Sequence, residues 1–219
     1  MNKVNVLNDH RISILIKNFY LRNIDEMTLA DNYFNYGLYS AASGIYCSYL
    51  NQHYKDLDTI KKSECLVKLA NCYLNQLDDQ PSEWQLTLIY SLLKYSIIYN
   101  PKNFLSHYFL AVTYIKQGNP KDACFEYEYI IMNLNSLEFI DYLKEYHIEF
   151  IINSIYNTYL ISDRFKTVKY DSFNKKVLDF LSNHINEISK DNYKLIMNKM
   201  IENEQRISDY EFNEIMHFQ

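Results

Sequence analysis

Apolar residues recur every three or four positions through most of this chain, the period of helices that bury one side. Residues 8–22 read as a first amphipathic helix, with Ile12, Leu15, Ile16, Phe19 and Tyr20 on its apolar side, placed to cap the first helix pair. Residues 24–36 and 39–54 read as that pair, turning at Gly37, and the second member carries Ala42, Ile45, Tyr46, Tyr49 and Leu50 on one stripe. The polar run Lys55 to Lys62 predicts a loop and Ser63 to Leu77 the next helix. Asp78-Asp79-Gln80-Pro81 breaks the period, after which Ser82 with Gln85 forms a capping box for a helix running to Tyr99. Asn100-Pro101 ends it, because the residue before a proline is pushed out of helical geometry. A third pair comes next, Phe104 to Gln117 and Lys121 to Leu134, around the turn Gly118-Asn119-Pro120. Residues 137–161 are apolar almost all round and predict one long, well-covered helix. Three further helices are expected at 172–188, 192–203 and 208–217, the last opening on a capping box of Ser208 and Glu211.

Within this pattern one phrase recurs: Leu29-Ala30-x-x-Tyr33, Leu69-Ala70-x-x-Tyr73 and Leu110-Ala111-x-x-Tyr114, at intervals of 40 and 41 residues. Around the first and third copies the frame extends to Gly37 and Gly118, Ala42 and Ala123, Tyr46 and Tyr127. Small residues at fixed places in successive helix pairs predict close helix crossings, repeated along the chain.

Composition narrows the classes. Of 219 residues 48% are hydrophobic, enough for a substantial core, and only three glycines and three prolines occur, too few for a turn-rich β fold. The formal charge of −5 disfavours nucleic-acid binding, which needs a cationic face. No run of about 20 apolar residues suits membrane insertion. The N-terminus, with Asp9 and Arg11 before a short apolar run, does not read as an export signal, so a cytoplasmic, reducing location is expected. Cys47, Cys65, Cys72 and Cys124 lack metal-ligand spacing and are expected to pack as small hydrophobes.

Catalytic signatures are equally thin. The glycines do not form a phosphate-cradling loop, and nucleophile elbows and zinc motifs are absent. Glu126 with Glu128 and Glu202 with Glu204 read as solvated helix surface, and the nearest acid–histidine neighbours, Asp9-His10 and Glu145/Glu149 around His147, do not converge on one point. The expectation is a chain without enzymatic activity, cofactor or metal.

The stretches Leu29 to Ala42 and Leu110 to Ala123 resemble the tetratricopeptide repeat (TPR), over roughly residues 24–135. The spacing exceeds the usual 34 of that family, and the second copy has Leu77 where the others have the turn glycine. The resemblance implies an all-α fold, an α-solenoid of about three TPR-like helix pairs across residues 1–136, with a C-terminal helical extension at 137–219 packed on them. It further implies that the first helix of each pair lines a concave groove made by Met27, Asp31, Phe34, Asn35, Val67, Asn71, Leu74, Asn75, Tyr108, Val112, Ile115 and Lys116. Asparagine amides there are suited to an extended peptide, because each both donates and accepts. Lys68 and Lys116 stand as isolated cations, which disfavours a receptor for terminal carboxylates. A second, shorter similarity, Tyr33 to Tyr46 with Glu64 to Tyr73, is to helical repeats attached to glycosyltransferase-like proteins of large DNA viruses and bacteriophages; Asp56-Leu57-Asp58 lacks the strand that a metal-binding version needs.

The function expected is therefore a protein–protein interaction adaptor or scaffold subunit of a larger complex, holding a peptide or helix in the groove. The alternatives are a structural subunit of a viral or organellar particle, or an accessory helical part of a glycosyltransferase-like enzyme.

Overall fold

The computed structural model describes residues 24–133, 157, 170–183, 190–191, 193–194, 197–198 and 200–202. Every regular element among them is helical: α1 Glu26–Asn35, α2 Tyr39–His53, α3 Thr59–Leu74, α4 Glu83–Tyr99, α5 Phe104–Lys116, α6 Pro120–Met132 and α7 Tyr170–Asn183. The chain divides into two compact units, Met1–Asn103 and Phe104–Gln219. The expected helices at 8–22 and 208–217 and the expected boundary at 136/137 fall outside the described residues, as does all of 137–161 except the helical Asn157.

In the first unit α1 packs on α2 and α3 on α4, and α2 also packs against α3. The repeated alanines explain how. Ala30 and Ala70 are 0% exposed, as is Ala42 on α2, so their lack of a longer side chain lets the helices cross closely. Ala30, Ala42, Tyr46, Leu69 and Cys72 form one cluster that joins the two pairs. In the second unit α5 packs on α6, with Leu110, Ala111, Ala123, Tyr127 and Ile131 buried on the two helices, and α7 touches α6. Replacing Ala123 by leucine is expected to lower stability by about 1–3 kcal/mol through overpacking, read as a fall in the urea midpoint.

Local chemistry sets the helix ends. Gly37 and Gly118 take φ of 73° and 72°, the left-handed turn that a side chain resists. Ser82 and Gln85 form the anticipated capping box, and Asn119 caps α6 ahead of Pro120. Asn100 is extended, as its proline neighbour requires. Two caps differ from expectation. Asp25 accepts from the Thr28 amide at 3.0 Å and from its hydroxyl at 2.7 Å, bonds that hold its carboxyl below the ordinary carboxylate range. Asp58 accepts from the Lys61 amide at 2.8 Å as the N-cap, so α3 begins at Thr59, a turn earlier than the polar run implied.

Two polar clusters hold the first unit together. The buried Asn103 amide donates to the Ser63 hydroxyl at 2.8 Å, Ser63 to Ser96 at 2.8 Å, and Ser96 to the Ser63 carbonyl at 2.7 Å, a chain in which each hydroxyl both donates and accepts. Nearby, the Tyr54 and Tyr99 hydroxyls are hydrogen-bonded, and the Lys62 ammonium lies 4.6 Å and 5.7 Å from their ring centroids. These contacts join the C-terminal ends of α2 and α4 to the start of α3.

The cysteines pack as expected, with one exception at the surface. Cys65, Cys72 and Cys124 are buried and Cys47 is exposed. Burial pushes the Cys65 thiol up to about 11 and the Cys72 thiol up to about 12, so the reactive thiolate is scarce at both. At pH 8 a chromogenic disulfide reagent is expected to titrate Cys47 rapidly and the other three only after denaturant is added. Rapid reaction of all four would contradict this packing.

Candidate partner-binding surface

The first helices of the first two pairs, α1 and α3, are bridged directly. The Lys68 ammonium donates to both carboxylate oxygens of Asp31, at 2.7 and 2.8 Å, and the Tyr46 hydroxyl donates to the same carboxylate. Burial and this hydrogen bond hold the Tyr46 phenol neutral by raising its pKa. Lys68 is thus a partnered residue, not the isolated cation the sequence implied. With both side chains over a third exposed, the pair contributes about 0–1 kcal/mol; its larger effect is to fix which turn of α1 meets which turn of α3.

Helical spacing carries the two stripes onward from this bridge. Asn35 lies one turn beyond Asp31, and Asn71 and Asn75 continue the line of Lys68. Asn75 donates from its amide to the Asn71 side-chain oxygen and to the Asn71 carbonyl, both at 2.8 Å. Asn35 and Asn75 are exposed and Asn71 half-buried. The remaining expected groove residues of this unit have other work: Val67 is buried, and Met27 and Phe34 pack against the shared core, with the Met27 sulfur 3.3 Å from the Cys65 sulfur. Leu74 is half-buried. In the second unit Ile115 and Lys116 are exposed, and Tyr108 and Val112 half-buried. Tyr108 meets the Phe109 ring edge-on at 5.4 Å.

An acid–histidine pair that the sequence did not reveal sits in the second unit. The His107 ring nitrogen is 2.5 Å from a Glu126 oxygen and the ring stacks on Tyr129 at 4.0 Å. Glu126 is therefore not a solvated carboxylate. The side chains are 7% and 14% exposed, which ties α5 to α6 from within. Among the described residues no three His, Cys, Asp or Glu side chains gather as a metal site, and no helix is long and apolar enough to cross a membrane.

A third feature lies on α4. Leu86, Ile89, Leu93 and Ser96 are buried, whereas Trp84, Leu88, Tyr95 and Ile98 are exposed along the other side. Spacings of four, seven and three residues place these four on one stripe. Where α4 starts beside the end of α3, a cavity of about 310 Å³ is lined by Tyr73, Leu77, Trp84 and Leu88 among others.

This arrangement of helix pairs has a counterpart among solved structures. The crystal structure of nearly identical TPR-like repeats of a Podosopora anserina protein described as a putative kinesin light chain superposes with a TM-score of 0.55, over 88% of this chain and 90% of that one, at 13% sequence identity. The fold is TPR-like. No protein-family model and no curated protein matches the sequence. The TPR-like reading thus rests on the helix-pair architecture, with its alanine crossings and positive-φ glycine turns; the first repeat interval is lengthened within α3, 16 residues against the 10 of α1, and the second by the Asn75–Ser82 segment.

Proposed function

We propose that this chain is a non-catalytic protein–protein interaction subunit, an adaptor or scaffold within a larger cytoplasmic assembly, that holds an extended peptide or a helix along the first helices of its pairs. The observation that carries the reading is the Asp31–Lys68 bridge. It sets α1 and α3 side by side, with Asn35 and Asn75 exposed and Asn71 half-buried on the next turns, and asparagine amides can satisfy both the donor and the acceptor of a partner's backbone. TPR-like folds are built for such contacts, because stacked helix pairs leave a face unburied by their neighbours.

The test is replacement of Asn35, Asn71 and Asn75 together by alanine. The three are at or near the surface, so the helical circular dichroism and melting curve should be preserved, while recovery of copurifying partners falls. Undiminished recovery would move the interface off this face.

A further inference from the structure

Building on the interaction reading, we infer that the cavity between the end of α3 and the start of α4 is a docking site for a basic protein segment, one that presents an apolar anchor side chain flanked by lysines or arginines. Three observations converge. The cavity, about 310 Å³, has room for a leucine or phenylalanine side chain, and its walls combine Tyr73, Leu77, Trp84 and Leu88 with the glutamines Gln76 and Gln85. Trp84 is 68% exposed, an unusual position for the chain's one tryptophan, and it begins the apolar stripe that continues through Leu88, Tyr95 and Ile98. Acidic side chains flank the lining in sequence: Asp78 and Asp79 follow Leu77, Glu83 precedes Trp84, all three are exposed, and the stretch between Lys68 and Lys94 holds no lysine or arginine.

Glu83 complements the positive N-terminal end of α4. Asp78 and Asp79 precede the Ser82 cap in the exposed turn, where the capping box itself is made by Ser82 and Gln85 without them. Carboxylates around an apolar anchor pocket repel an acidic partner and draw in a basic one, which raises both specificity and association rate. The loop that carries them is the longer one that separates the second repeat from the others. An insertion that costs little in loop entropy has thereby placed exposed carboxylates next in sequence to residues that line the cavity.

Trp84 is its own reporter, since emission from the one tryptophan shifts to the blue when a partner covers the ring. The full chain is titrated with an amphipathic leucine–lysine peptide and with its leucine–glutamate counterpart. A saturable blue shift is expected with the lysine peptide, with affinity about tenfold or more above that for the glutamate peptide and falling as added salt screens the carboxylates. The double variant Asp78→Lys with Asp79→Lys, confined to an exposed turn, should fold normally by circular dichroism and reverse that preference. Leu88→Glu should abolish the shift with either peptide. No shift with the lysine peptide, or equal affinity for both peptides, overturns the site, as does light scattering that shows a dimer dispersed by Leu88→Glu, which would make the occupant a second copy. If native partners copurify equally with the wild-type chain and the double lysine variant, the interaction role stands and this docking site alone falls.

Discussion

Leu110→Ala is expected to lower unfolding free energy by about 2–5 kcal/mol. Leu110 is 0% exposed between α5 and α6, in the phrase that defines the repeat. Its loss removes buried methyl groups and leaves a cavity that a close-packed core refills only in part. Urea unfolding would report this as a lower midpoint. Leu110→Met, which conserves volume, should cost less than about 1.5 kcal/mol. Equal effects of the two replacements would mean that the site is not packed as described.

His107→Ala should cost about 2–4.5 kcal/mol, combining the stack on Tyr129, worth about 0.5–1.5 kcal/mol, with the hydrogen bond to Glu126, worth about 1.5–3 kcal/mol. The two contributions can be separated. In a double-mutant cycle with Glu126→Ala, only the His107–Glu126 coupling is measured, and it should be a clear fraction of the total, whereas the stacking loss persists when Glu126 is absent. A coupling energy indistinguishable from zero would place Glu126 in solvent after all. Distant surface replacements such as Lys121→Ala serve as the control, within about 0.5 kcal/mol of wild type.

Much of the fold was legible because its signals are local. Ala30, Ala70 and Ala111 recur at one helical position, and all three are buried. Gly37 and Gly118 take the left-handed turn, and Ser82 with Gln85 and Asn119 with Pro120 start their helices as local capping chemistry requires. Each of these depends on residues within one turn of one another. Asp25 and Asp58 are caps of the same kind but less conspicuous ones, Asp58 because a polar run masks the helix start behind it.

The polar contacts were not legible. Lys68 looked isolated and is paired with Asp31, 37 residues away; Glu126 looked solvated and meets His107, 19 residues away. The chain Asn103–Ser63–Ser96, bridging 33 and 40 residues, gave no signal at all. Of the expected groove, Asn35 and Asn75 are exposed, whereas Val67 turns into the core and Met27 and Phe34 pack against it. The period of a helix says which residues share a side, but one broad apolar side contains both the residues that reach the core and those at its margin.

Across residues 24–133 the residues alone were enough to place the helix pairs to within about a turn, to locate their glycine turns, and to show that small residues mark their crossings, because those properties depend on backbone sterics and on an apolar period spanning a few residues. Three-dimensional packing decided which carboxylate meets which ammonium, which stripe of α4 stays uncovered, and where a cavity opens beside Trp84. Such outcomes depend on how far each helix is rotated about its axis and which turn faces which across a whole repeat, and a shift of one residue turns a helix by about 100°, enough to exchange a buried side chain for an exposed one.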